Sequence, residues 1–280
     1  MKPAFVLVAA LLFVSVAVMP PLVAQDPQNV VGGLRAQQEE SARRGGGPSR
    51  PAPRNAAGRV LLQGATPKDK GVWLPGPGIT GPPIKPIDQL PIQPWAKAVF
   101  ADRQVNEFEP HTRCKPSGVA REFQTPYGVE FVELPDQQKI YLFDIGGPHT
   151  FRTIYMDGRS HPTNGLRTAY GHAVGWWEGD TLVSDTTNFH EGFWLDRKGL
   201  PHTEQLHTIE RWTRKDYSTM EYSLTVDDPG AYTARWTTSV VLTWEANTEL
   251  FEYVCQQQNY AHELMVGEMK SVDRTTVVVP

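Results

Sequence analysis

Nine segments rich in Val, Ile, Thr, Tyr, Phe and Trp follow one another from residue 128 onward, with no helical periodicity between them. They span 128–134, 139–145, 150–156, 172–178, 181–186, 205–214, 219–227, 232–245 and 249–255. Turn formers separate them: Gly146-Gly147-Pro148, Asp157-Gly158, Gly179-Asp180, Asp228-Pro229-Gly230 and Asn247. Short links between consecutive strands favour antiparallel neighbours, and a sheet of this size avoids exposed edges by closing. The expected fold is mainly β, an antiparallel meander closed into a barrel over 120–270, with a β-sandwich as the runner-up. Alternation supports half-buried strands. In 219–227, Met220, Tyr222, Leu224 and Val226 share one face while Glu221, Ser223 and Thr225 share the other.

Upstream the composition changes twice. Residues 1–24 read as a secretory signal peptide: Lys2 precedes an apolar run at 5–18, and small residues precede the polar Gln25-Asp26. Fourteen apolar residues are too few to span about 30 Å of hydrocarbon, and no later segment is long and apolar enough to do so. Residues 25–70, rich in Gln, Gly, Ala, Pro and Arg, read as a disordered linker. Residues 71–119 form a Pro-rich arm and one short helix near 94–107, which starts at Pro94 and is placed to cap or plug the barrel. The arm interleaves prolines with Trp73, Ile79, Ile84 and Ile87, so it either wraps the folded body or recognises an envelope partner.

Charge narrows the partners. The linker carries eight basic against four acidic residues, whereas 71–280 carries 18 basic against 27 acidic, a net of −9. A domain that acidic repels phosphate backbones, so nucleic acid is not an expected partner. The two cysteines, Cys114 and Cys255, form an even pair in a chain expected to be periplasmic or secreted, and a structural disulfide is the better reading than two metal-binding thiols.

Six of the eight histidines (His149, His161, His172, His190, His202, His207) fall within residues 149–207. Imidazole is both the commonest metal ligand and the usual proton shuttle near neutrality. Around Gly179-Asp180 the sequence predicts a two-residue hairpin turn. That register pairs Val174 with Asp185 and Trp176 with Val183, setting His172 and Asp185 on one face; a three-residue turn would send Asp185 to the other. A second group, His202, Glu204 and His207, precedes and enters the strand at 205–214. Together His172, His202, His207, Asp185, Glu204 and His149 are the ligand-binding or metal candidates, with a divalent transition metal as a possible cofactor and catalytic residues unassigned. Trp176, Trp212 and Tyr222 are candidate pocket walls. His111, His161, His190 and His262 read as surface or turn histidines, and Arg152, Asp157, Arg159, Asp196 and Arg197 as cross-strand or loop ion pairs. There is no GxSxG elbow, phosphate-binding loop, dinucleotide fingerprint or zinc-finger cysteine spacing.

The stretches PHTFR (148–152), DGRxHP (157–162), GHxxGxWEGDTLVxDT (171–186), GxPHxExLHxxERxxR (199–214) and DDPxAYT (227–233) together resemble a family of exported bacterial proteins. The chain departs from that pattern at Ala173, Trp176 and Ser184. By strand count and order the chain also resembles a lipocalin-like barrel, a likeness of fold alone; the family resemblance implies export and no particular activity. Three functions follow as expectations: a barrel binding a small, apolar or aromatic ligand; a metal-dependent hydrolase or oxidoreductase using the histidines; or an envelope interaction module.

Overall fold

A computed structural model describes residues 50–75, 84–124, 128–144, 150–250 and Cys255. The signal peptide, most of the linker, residues 76–83 of the arm, His149, His262 and the end of the barrel domain lie outside these residues. The described chain closes into a nine-stranded barrel. Its strands are β1 (Gly71–Pro75), β2 (Val129–Leu134), β3 (Lys139–Asp144), β4 (Thr150–Tyr155), β5 (His172–Glu178), β6 (Thr181–Thr187), β7 (His207–Arg214), β8 (Thr219–Asp227) and β9 (Trp236–Ala246).

Two features depart from a simple meander. The closing strand is β1, from the Pro-rich arm, which pairs with β9 from Gly71↔Ala246 to Pro75↔Leu242 and touches β2 at Trp73↔Val129. In the expected ninth segment, the described residues Glu249, Leu250 and Cys255 are not in strand conformation. The second departure is that β4 and β5 run parallel, paired at Ile154↔Ala173 and Tyr155↔Val174. A parallel neighbour needs a connection that travels back along the barrel. Residues 156–171 make that return over the outer wall, which is why this loop is long.

Residues 50–70 are not a tether. Val60 and Leu62 are fully buried, the Trp73 indole donates to the Leu62 carbonyl at 2.7 Å, and Glu133 accepts from the Leu62 amide at 2.8 Å. Arg214 holds the carbonyls of Leu61 and Gln63, both at 2.8 Å. A polar composition still packs when strand-end side chains satisfy its backbone groups.

Among the described residues the one α-helix, α1 (Pro94–Asn106), starts at its proline as predicted, but it buries only Ala96 and leaves Trp95 half exposed. It does not plug the barrel. That place is taken by a 3-10 segment, Val119–Gln124, all six of whose residues are buried. Phe123 lies against Tyr222 of β8 at 4.6 Å between ring centroids, and Glu122 meets Arg152 of β4. Small barrels fill their interiors with side chains, and here Trp73, Phe131, Leu142, Ile154, Trp212 and Leu242 complete the core. Cys114 and Cys255 form a disulfide across 141 residues.

Candidate functional site

The β5–β6 hairpin has the two-residue turn its Gly179-Asp180 pair favours, with Val174↔Asp185, Trp176↔Val183 and Glu178↔Thr181 in register. Gly179 takes φ +59, the left-handed value such a turn requires. Strand alternation then points Ala173, Gly175, Ser184 and Thr186 inward and His172, Val174, Trp176 and Asp185 outward. On β7 the same alternation turns Thr208, Glu210, Trp212 and Arg214 inward and His207 outward. The histidines therefore meet on the outer wall, not in the lumen.

Asp185 is the hub. Its Oδ1 accepts from His207 Nε2 at 2.8 Å and from His161 Nε2 at 3.0 Å, while His161 Nδ1 lies 3.0 Å from His172 Nδ1. The four side chains form one chain, His172–His161–Asp185–His207. His161 arrives on the 156–171 loop, which crosses the outer face only because β4 and β5 are parallel. His172 stacks on Tyr155 at 5.2 Å, and the Arg159 guanidinium sits 3.8 Å over the Tyr155 ring. His161, Asp185 and His207 keep 24%, 25% and 29% of their side-chain surface, enough for a small molecule to reach them.

The cluster's charges are tuned in opposite directions. The hydrogen bond to Asp185 raises His207 above an ordinary histidine, against the opposing effect of burial. Burial, with the neighbouring His161 and Arg159, lowers His172. Burial alone would raise Asp185, but hydrogen bonds and charge from His207 and His161 outweigh it and leave the carboxyl below its usual range.

Of the residues proposed from sequence, the structure brings together His172, Asp185 and His207. His202 lies elsewhere: it is buried, its ring nitrogens are 3.1 Å from the carbonyls of Thr203 and Phe193, and its ring packs 4.1 Å from Phe193. It closes the loop between β6 and β7. Glu204 pairs with Arg167 at 3.2 Å on the surface. Trp176 is exposed on the outer face, its indole donating to Glu178 at 2.9 Å, whereas Trp212 and Tyr222 are buried in the lumen. Among the described residues no group of three or more His, Cys, Asp or Glu side chains is arranged to hold a metal ion. The geometry explains this: His161 turns Nδ1 toward His172 and Nε2 toward Asp185, so the two cannot share one ion with it.

Sequence reasoning missed His161 and the interior charges. Arg152, read as a surface ion pair, is wholly buried and holds Glu210 by two hydrogen bonds, at 2.5 and 2.9 Å. A recess of about 360 Å³ beside residues 63–71 and Trp244 includes none of the outer-wall residues. Compared with known proteins, the chain matches no family model, no curated protein and no solved structure, so the reading of this site rests on its own geometry.

Proposed function

We propose that the protein binds a small aromatic or apolar molecule on the outer wall of the barrel and exchanges a proton with it through the histidine–aspartate chain. The observation that carries this reading is the Asp185 carboxylate held between two imidazoles, with His207 raised and His172 lowered. Titratable neighbours pushed apart in this way mark acid and base roles. With Nε2–H of His207 and His161 donated to Asp185, and Nδ1–H of His172 donated to His161, His172 Nε2 and His207 Nδ1 are left as proton acceptors. A proton taken up at His172 Nε2 can pass from its Nδ1 to His161, where the cation lies beside Asp185. Val174, Ile209 and Trp176, on the same outer face, would supply the apolar platform.

A ligand in the lumen is less well supported, because Val119–Gln124 and the aromatic core already occupy it. The exported setting belongs to the same reading: the Cys114–Cys255 bridge persists in an oxidising compartment, and the N-terminal sequence pattern points the same way.

Hydrolysis of 4-nitrophenyl acetate tests the site, because a positioned imidazole base accelerates it. General-base contributions run to about 100-fold or more, so Asp185→Asn and His207→Ala should each lose at least about tenfold. Equal rates in wild type and both variants, no faster than the same concentration of free imidazole, would remove the proposal.

A further inference from the structure

The lumen contains a charged cluster that the outer wall does not use. Arg152 donates to both Glu210 oxygens and, from the same guanidinium, lies 2.8 Å from Glu122 Oε2. Tyr222 donates to Glu210 at 2.8 Å. Glu122 belongs to the 3-10 segment Val119–Gln124, which has no place in the strand ladder. Side-chain contacts seat it: Glu122 on Arg152, Phe123 on Tyr222, and Gln124 donating to the Leu195 carbonyl at 3.3 Å.

We propose that Val119–Gln124 is a proton-latched plug, seated in the barrel while Glu122 is protonated and driven out when Glu122 loses that proton. The groups facing Glu122 make the argument. Arg152 on β4 attracts its charged form, but that guanidinium already serves Glu210 on β7, and Asp144 on β3 adds a further carboxylate. Tyr222 on β8 and the buried Tyr170 also share this environment. β1, also packed on the plug, carries no titratable side chain, and the neighbouring Arg121 is paired with Glu109. An ionised carboxylate taken wholly out of water beside other carboxylates is costly. Burial is the largest cause, and the Glu122 carboxyl is pushed up to about 8. Losing the proton therefore adds a third buried carboxylate to Glu210 and Asp144 beside the Arg152 guanidinium in a sealed space. The plug is the part of that space free of the sheet, so it is the part that can leave. Its departure uncovers Trp212, Tyr222 and Phe131.

The test follows 8-anilinonaphthalene-1-sulfonate fluorescence of the intact, disulfide-bonded protein from pH 5 to 9.5, with far-UV circular dichroism alongside. Wild type should gain emission severalfold with a midpoint near pH 8 while its far-UV spectrum holds. Glu122→Gln, which keeps the shape and cannot ionise, should show no such gain. Asp144→Asn removes a like charge, so an ionised Glu122 is better tolerated in the seated plug and the midpoint should move to higher pH; this variant serves where the glutamine variant does not fold. A flat wild-type profile to pH 9.5, the same transition in Glu122→Gln, or an unmoved midpoint in Asp144→Asn would each overturn the latch.

Discussion

Replacing Arg152 by Met should destabilise the protein by about 3–5 kcal/mol, the usual cost of removing one partner from a buried ionic group. The structure gives the reason. The guanidinium is 1% exposed, both carboxylates it serves are fully buried, and its centre lies 5.4 Å from the Trp212 ring. Met retains much of the length and apolar stem, so the loss is chiefly the stranding of Glu122 and Glu210. Against a typical total stability of about 5–15 kcal/mol, that is a large fraction. The stranded carboxylates can relieve themselves by taking up protons, so the loss should be smaller at pH 5 than at pH 8. The decisive control replaces Arg152 and the two carboxylates it pairs with by apolar side chains, Arg152→Met/Glu122→Met/Glu210→Met, with Tyr222→Phe so that this hydroxyl does not lose its acceptor. Apolar replacement of a buried ion pair or triad is often near neutral, so this variant should recover most of the lost stability. Urea unfolding followed by tryptophan fluorescence reads both, provided the slope stays constant while the midpoint moves. A cost below about 1 kcal/mol for Arg152→Met at pH 8, or a quadruple variant no more stable than the single, would refute the reasoning.

The outer pair has a pH window set by its two shifts. Asp185 lies below its ordinary 3.8, so its stabilisation is present above that value and lost on acidification. His207 lies above its ordinary 6.5, so its share is complete below 6.5 and fades as pH rises through the raised value. The difference in unfolding free energy between wild type and Asp185→Asn should therefore peak between about pH 4 and 6.5, and stay under about 1 kcal/mol because the pair is partly solvated; imidazole NMR titration should show His207 falling in the variant. Cys114→Ser/Cys255→Ser should cost up to about 5 kcal/mol by the chain-entropy estimate for a 141-residue separation, read as a lower urea midpoint. Gly179→Ala should cost about 1–2 kcal/mol through backbone strain alone, because φ is +59 and an added Cβ meets nothing within 4 Å; thermal unfolding checks it, and no change would mean that the turn relaxes freely.

What the sequence revealed of this architecture depended on the range over which each signal acts. The β5–β6 hairpin was legible because Gly179-Asp180 fixes the register locally, and the register alone sets His172 and Asp185 on one face. β8 was legible from strict alternation. The interior was not. Arg152, Thr208, Glu210 and Arg214 look like a solvated face to any pattern reader, because a polar lumen and a polar surface share the same period of two. Only β7's partners, with Trp212 between Glu210 and Arg214, show which side is sealed. β1 was hidden because five residues ending in proline carry no periodicity, and only the β9 edge makes them a strand. His161 was missed for a topological reason: its loop crosses the outer wall because β4 and β5 are parallel, and no local pattern announces a parallel pair.

The two candidate devices share one piece of backbone. In the β6–β7 ladder Ser184 pairs with Glu210 and Asp185 with Ile209, so the outer hub and the inner carboxylate lie one residue apart on either side of a single sheet. A slip of one residue in β6 would turn Asp185 into the lumen, beside Glu210 and Glu122, and would strip the outer imidazoles of their acceptor. Hydrophobic patterning usually enforces register by the cost of exposing a core face. Here burial of Leu182 and Trp212 is reinforced by the cost of placing a further carboxylate beside Glu210 and Glu122. The wall is thus held in place by charge as well as by packing, and the same constraint that seals the lumen keeps Asp185 between His161 and His207.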